Sequence, residues 1–126
     1  MSAWPEGIDA ITLFQEDLEA AKSFYEAVFG LPTVYEDVNS AVFKFGDTLI
    51  NLLDAREAPA LVAPAEVASS DGVRFQFTLR VDDVDATCAT LKQRGVELLS
   101  GPMGRPWGIR TASFRDPGGH IWEIAK

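Results

Sequence analysis

Glu123 is the first residue whose type and setting could do chemistry. It stands inside an apolar closing run, Ile121, Trp122, Glu123, Ile124 and Ala125. A carboxyl group in a dry pocket has a raised pKa and suits proton abstraction. The same group could ligate a metal or accept a hydrogen bond from a ligand. A carboxylate paired with a neighbouring donor is the plainer alternative. Gln76 could orient a ligand or Glu123, or be a satisfied strand amide. Asn51 lies between Ile50 and Leu52, so alternation puts it on the other strand face, with Leu49 and Leu53. A polar side chain there needs a partner. Thr12 and Phe14 share a face with Ala10 and would line the same concavity. Trp107 and Gly108, with Arg110 just beyond, suit a loop that bends over a ligand and stacks an indole on it.

Other reactive side chains read as structural. His120 is the only histidine, and it directly follows a Pro117-Gly118-Gly119 turn. It is expected to be an exposed turn residue, on the opposite strand face from Glu123. Cys88 falls on the apolar face of a helix and is expected in the core. Phe24, Tyr25, Phe29, Phe77 and Trp122 are also expected there.

The elements that position these residues come as a repeat. Residues 8–18 and 74–84 are each a short apolar run that meets an acidic pair, Glu16-Asp17 and Asp82-Asp83. A helical pattern follows each and stops at Gly30 or Gly95. Asp17 pairs with Asp83, Thr12 with Thr78 and Ala10 with Gln76. Such a repeat points to two modules that complete one fold, with a site between them.

In the first module, residues 8–14 predict a strand and Asp17 an N-cap. Leu18, Ala21, Phe24, Tyr25, Val28 and Phe29 have helical spacing. Strands are expected over 33–37, 41–45 and 49–53, with turns at Asn39-Ser40 and Gly46-Asp47. Residues 55–71 read as a connection, with a helical turn near 63–68. In the second module a strand is expected over 73–81, a helix over 83–94 and a strand near 96–99. Further strands are expected over 109–115 and 120–125, around the Asp116-Pro117-Gly118-Gly119 turn. The order is strand, helix, three strands, performed twice. This is an α+β layout with helices on one face of sheet.

Composition narrows the function. The chain has 126 residues and is 47% hydrophobic, enough to build one domain with a core. Its net charge of −8 repels phosphate backbones and anionic membranes, so neither nucleic acid nor membrane is an expected partner. No run of about 18 apolar residues suggests a membrane span. Residues 1–7 lack the basic-then-apolar order of a secretory signal. The single cysteine fits a reducing cytoplasm.

Three stretches carry a resemblance. They are Ile11 to Pro32 with its Phe24-Tyr25 pair and Gly30; Val81-Asp82-Asp83-Val84-Asp85-Ala86; and Phe114 to Ile124 with Asp116-Pro117-Gly118-Gly119 and Glu123. Together they resemble the vicinal oxygen chelate superfamily, the group of glyoxalase I, bleomycin- and fosfomycin-resistance proteins and extradiol dioxygenases. The resemblance covers nearly the whole chain. It implies two βαβββ modules, about 7–54 and 72–126, forming a cupped mixed or antiparallel sheet with helices on the outer face. It also implies a cup commonly completed in a homodimer. Many members hold a divalent metal, with His or Gln on a module's first strand and Glu on its last.

Carried onto this chain, those metal positions are Ala10, Asn51, Gln76 and Glu123. Ala10 has no donor atom, and Asn51 and Gln76 offer neutral amides. A catalytic zinc site normally uses three good protein ligands, and amide oxygens are poor ligands for transition metals. The expectation is a small-molecule-binding protein with a degenerate metal site and no cofactor. Its binding residues would be Thr12, Phe14, Asn51, Gln76, Trp107, Arg110 and Glu123. The alternative is a metal-dependent lyase, isomerase or dioxygenase, with Glu123 as ligand or base and Gln76 as second ligand.

Overall fold

The computed structural model describes residues 5–126; the expectation drawn from the first seven residues falls in part outside them. The chain divides between Val67 and Ala68 into two compact units. Each is a βαβββ module built on a four-stranded mixed sheet.

The first unit runs β1 (Ala10–Gln15), α1 (Leu18–Phe29), β2 (Thr33–Glu36), β3 (Ser40–Phe45) and β4 (Thr48–Asp54). The sheet order is β1-β4-β3-β2, with β1 parallel to β4 and the rest antiparallel. Asp17 caps α1, its carboxylate accepting from the Ala20 amide at 3.0 Å. This satisfies one of the free donors of the first turn and is worth about 1 kcal/mol. Gly30 ends the helix at φ +64°, a conformation glycine adopts without a side-chain clash. Leu18, Ala21, Tyr25 and Val28 are buried along one helix face, against Leu13, Ala41, Phe43, Ile50 and Leu52 of the sheet. The Tyr25 and Phe43 rings lie 5.7 Å apart. Burying a large apolar side chain of this kind contributes about 1.5–3 kcal/mol.

A single 3-10 turn (Ala55–Glu57) and a short helix α2 (Pro59–Val62) follow. The helical turn expected near 63–68 therefore lies earlier. Pro59 starts it, because its fixed φ is pre-set for the first helical position.

The second unit runs β5 (Gln76–Arg80), α3 (Val84–Gln93), β6 (Leu98–Gly104), β7 (Arg110–Arg115) and β8 (Ile121–Ala125), in sheet order β5-β8-β7-β6. Asp83 caps α3 through the Ala86 amide at 3.0 Å, as Asp17 caps α1. Val84, Cys88 and Leu91 are buried, as are Ala112, Phe114, Trp122 and Ile124 of the sheet. Phe77 lies 4.9 Å from Trp122, ring to ring.

Two strand expectations are corrected. β5 begins at Gln76 rather than 73, because its parallel neighbour β8 begins only at Ile121 and a strand pairs no further than its partner reaches. β6 covers Leu98–Gly104 rather than 96–99. It continues through Gly101, at φ +81°, and the register against β7 shifts on either side of Ser100. A Cβ at Gly101 would run into the Thr111 carbonyl, so only glycine lets the strand pass there.

Candidate functional site

Five of the candidate residues, Thr12, Phe14, Asn51, Gln76 and Glu123, sit on the sheet faces turned away from the helices. In the second unit, strand alternation puts Phe77, Leu79, Ala112, Phe114, Trp122 and Ile124 toward α3. Gln76, Thr78, Ser113 and Glu123 therefore take the opposite face. Register sets Thr78 beside Glu123, Glu123 beside Ser113 and Ser113 beside Ser100. The result is a polar row across four strands. The Thr78 hydroxyl donates to Glu123 Oε1 at 3.0 Å, and the Ser113 and Ser100 hydroxyls lie 3.5 Å apart. Glu123 is part-exposed, and its other carboxylate oxygen has no hydrogen-bond partner among the described residues.

The first unit carries the corresponding face. Ala10, Thr12 and Phe14 of β1 lie beside Leu49, Asn51 and Leu53 of β4. Thr12 pairs with Asn51 as Thr78 pairs with Glu123, but Asn51 Nδ2 is the donor, at 3.4 Å to Thr12 Oγ1. Asn51 Oδ1 is buried with no partner among the described residues. Where Ser113 continues the row in the second unit, the first unit has Val42.

Arg110 does not join Glu123. Alternation puts it on the α3 side, where it makes a bidentate pair with Asp85 at 2.6 and 2.8 Å. The Arg110 guanidinium holds the Asp85 carboxyl below its ordinary range, and Asp85 raises Arg110 in turn. A cavity of about 250 Å³ beside this pair is lined by Asp82, Asp83 and Lys126 as well. Trp107 is 69% exposed, in the loop between β6 and β7.

His120 is a correction. It is 1% exposed and Asp116 is 4% exposed. The imidazole Nδ1 lies 3.0 Å from both Asp116 oxygens, and the His120 amide donates to Asp116 Oδ1 at 2.8 Å. The turn brings the Asp116 side chain back over the residue that leaves it, so the ring folds inward onto a carboxylate. Cys88 is buried, as expected. Its thiol is pushed up by burial and by the nearby Asp85 charge, which makes it a poor nucleophile.

Sequence reasoning missed Ser100, Ser113 and Arg105 as residues of this unit's polar surface. Thr78 had a usable signal, its repeat partnership with Thr12. Ser100 had none, because the register shift at Ser100 is set by tertiary pairing rather than by local pattern.

The sequence profile of the glyoxalase/bleomycin resistance protein/dioxygenase superfamily matches residues 7–124. The chain belongs to this superfamily. The chain is also similar to the uncharacterized protein YraH of Bacillus subtilis (strain 168), 34% identical over 122 aligned residues, covering 92% of this chain and 94% of YraH. A glyoxalase/bleomycin resistance protein/dioxygenase from Nocardioides superposes with a TM-score of 0.86 at 25% identity, covering 98% of this chain and 85% of that one. Lactoylglutathione lyase from Agrobacterium tumefaciens superposes with a TM-score of 0.77 at 28% identity, covering 96% and 93%.

The divalent metal common in the superfamily does not fit the side chains present. Among the described residues, no three His, Cys, Asp or Glu side chains are grouped to hold a metal ion. Ala10 supplies no donor, Asn51 and Gln76 supply amides, and one oxygen of Glu123 already accepts from Thr78. At these positions the first unit offers neither carboxylate nor imidazole and the second offers one carboxylate and no imidazole, each weak for a first-row transition metal.

Proposed function

We propose that this protein binds small molecules without a metal, using the sheet faces turned away from α1 and α3. The observation that carries this reading is the row Thr78, Glu123, Ser113 and Ser100, with one oxygen of the part-exposed Glu123 left unpartnered among the described residues. An ionised carboxylate only accepts hydrogen bonds, so the row favours a ligand that presents an amine or hydroxyl group. Gln76 on the same face supplies an amide. In the first unit Thr12, Phe14 and Asn51 supply a mainly apolar surface with one amide. Trp107 offers an exposed ring, while Arg110 would contribute only if its pair with Asp85 opened.

Superfamily membership supports the small-molecule reading. The exposed apolar side chains Val34, Tyr35 and Val38 at the β2 edge support a homodimer, which sedimentation would test. The buried free Cys88 is consistent with a reducing cytoplasm.

Likeness to a lactoylglutathione lyase favours a second reading, a metal-dependent lyase with Glu123 as ligand or base. Benzylamine titrated into labelled protein separates the two. The binding reading expects saturable shifts of the Glu123 and Ser113 amides that chelator leaves unchanged, weakened about tenfold in Glu123→Gln. Shifts that appear only after a divalent ion is added would favour the lyase reading.

A further inference from the structure

Two arginines flank the hairpin between β6 and β7, and they differ in one respect. Arg110 is committed to Asp85, but Arg105 forms no ion pair among the described residues, in a chain with 19 acidic side chains. Arg105 is nevertheless held in place. Its Nε donates to Thr111 Oγ1 at 2.8 Å, and its guanidinium carbon lies 5.9 Å from the centre of the Trp107 ring. The loop beneath it is closed at both ends, by Arg105 N to Ile109 O at 2.7 Å and Gly108 N to Arg105 O at 3.0 Å.

Fixing an arginine side chain costs rotamer freedom that the contacts holding it must offset. Here a neutral hydroxyl and a ring fix it, and both terminal Nη groups are without a protein partner among the described residues. Two parallel N–H groups match the two oxygens of a carboxylate. Thr111, the residue that orients the guanidinium, lies two residues before Ser113 on the face that carries Glu123. Trp107 is 69% exposed, which leaves indole surface beyond the arginine for a planar group to stack on.

We propose that Arg105 and Trp107 form a subsite for an aromatic carboxylate. Arg105 Nη1 and Nη2 take the carboxylate and Trp107 stacks on the ring, while Thr111 acts as a positioning residue. The net charge of −8 opposes any anion at long range. Salt screens that field beyond about 8 Å, so the local fork decides binding. This inference deepens the small-molecule reading above and rests on it.

Titrating benzoate, benzamide and acetate into labelled full-length protein tests it, following the Trp107 indole N–H and the Arg105 Nε–H by NMR. Benzoate is expected to shift both signals saturably, with benzamide and acetate at least about tenfold weaker because each lacks the charge or the ring. Arg105→Gln should abolish the preference for benzoate. Lys92→Gln, which removes a cation from the exposed side of α3, should leave it intact. No shift with benzoate, equal responses to benzoate and benzamide, or a preference that survives Arg105→Gln would overturn the subsite. If benzoate fails while benzylamine still shifts Glu123 and Ser113, the subsite falls and the binding reading stands. If both probes fail, both fall.

Discussion

The Thr78 hydroxyl donates to Glu123 Oε1 at 3.0 Å, and the residues that repeat this pair in the first unit, Thr12 and Asn51, stand at 3.4 Å with the donor reversed. One backbone register therefore presents a carboxylate in one unit and an amide in the other. The repeat preserves where the side chains go and changes what they can bind. The face with Glu123 reads donors. The face with Asn51 is flanked by Leu49, Leu53 and Val42 and is largely apolar.

Thr78→Val removes the hydroxyl with little change of shape. It leaves Glu123 without the one side-chain donor it has among the described residues, so affinity for benzylamine should change while the fold stays intact. We expect a stability loss of about 1 kcal/mol, the net worth of one such hydrogen bond. Urea unfolding of this variant, alongside the benzylamine titration, checks both parts.

Asn51→Leu should be tolerated. The buried Asn51 Oδ1 lacks a partner among the described residues, and the hydrogen bond that Asn51 Nδ2 donates to Thr12 Oγ1 is long, at 3.4 Å. A buried unsatisfied polar atom costs about 1–3 kcal/mol, so an apolar side chain of similar size removes a penalty. The melting temperature should hold or rise. A large fall would show that Asn51 is fully satisfied in solution.

His120→Ala should be severe for a residue next to a turn. It empties a buried ring position and removes the imidazole Nδ1 that lies 3.0 Å from both Asp116 oxygens, while the backbone amide of residue 120 still donates to Asp116 Oδ1. The expected loss is about 2–4 kcal/mol by denaturant midpoint. An exposed turn histidine would cost no more than about 0.5 kcal/mol.

Acid should weaken the first unit through Asp54. The hydrogen bonds from the Arg56 side chain, then that from its amide, hold this carboxyl below its ordinary value of 3.8, against a smaller opposing effect of burial. A folded-state pKa below the unfolded one contributes stability that is present above the unfolded value. That stability is lost as pH falls through the folded value. Asp54→Asn should thus be less stable than the parent near pH 7, and the gap should close as pH drops below about 4. Urea midpoints across that range give the comparison.

The fold was legible because its signals are local and doubled. Asp17 and Asp83 open helices in the same way, and Gly30 stops one where an apolar face ends. Alternation placed Asn51 with Leu49 and Leu53, and that face assignment follows from period two alone. The site was less legible because its decisive contacts are not local. Arg110 and Arg105 look alike in sequence, five residues apart around a turn. Only the packing of α3 shows that Asp85 takes one and leaves the other to Thr111. His120 reads as exposed because glycines precede it, yet the Asp116 carboxylate four residues back folds over it. A turn signal gives the backbone reversal without saying which side chain it buries.

Metal content decides whether the Glu123 face works without a bound ion. Untagged protein, purified without chelator, would be assayed by plasma mass spectrometry and by melting shift on adding Ni, Zn, Mn or Fe ions. Metal-free binding requires well under one metal per chain and no shift. About one metal per chain, with a stabilisation that Glu123→Ala removes, would contradict it and return the protein to the metal-dependent branch of its superfamily.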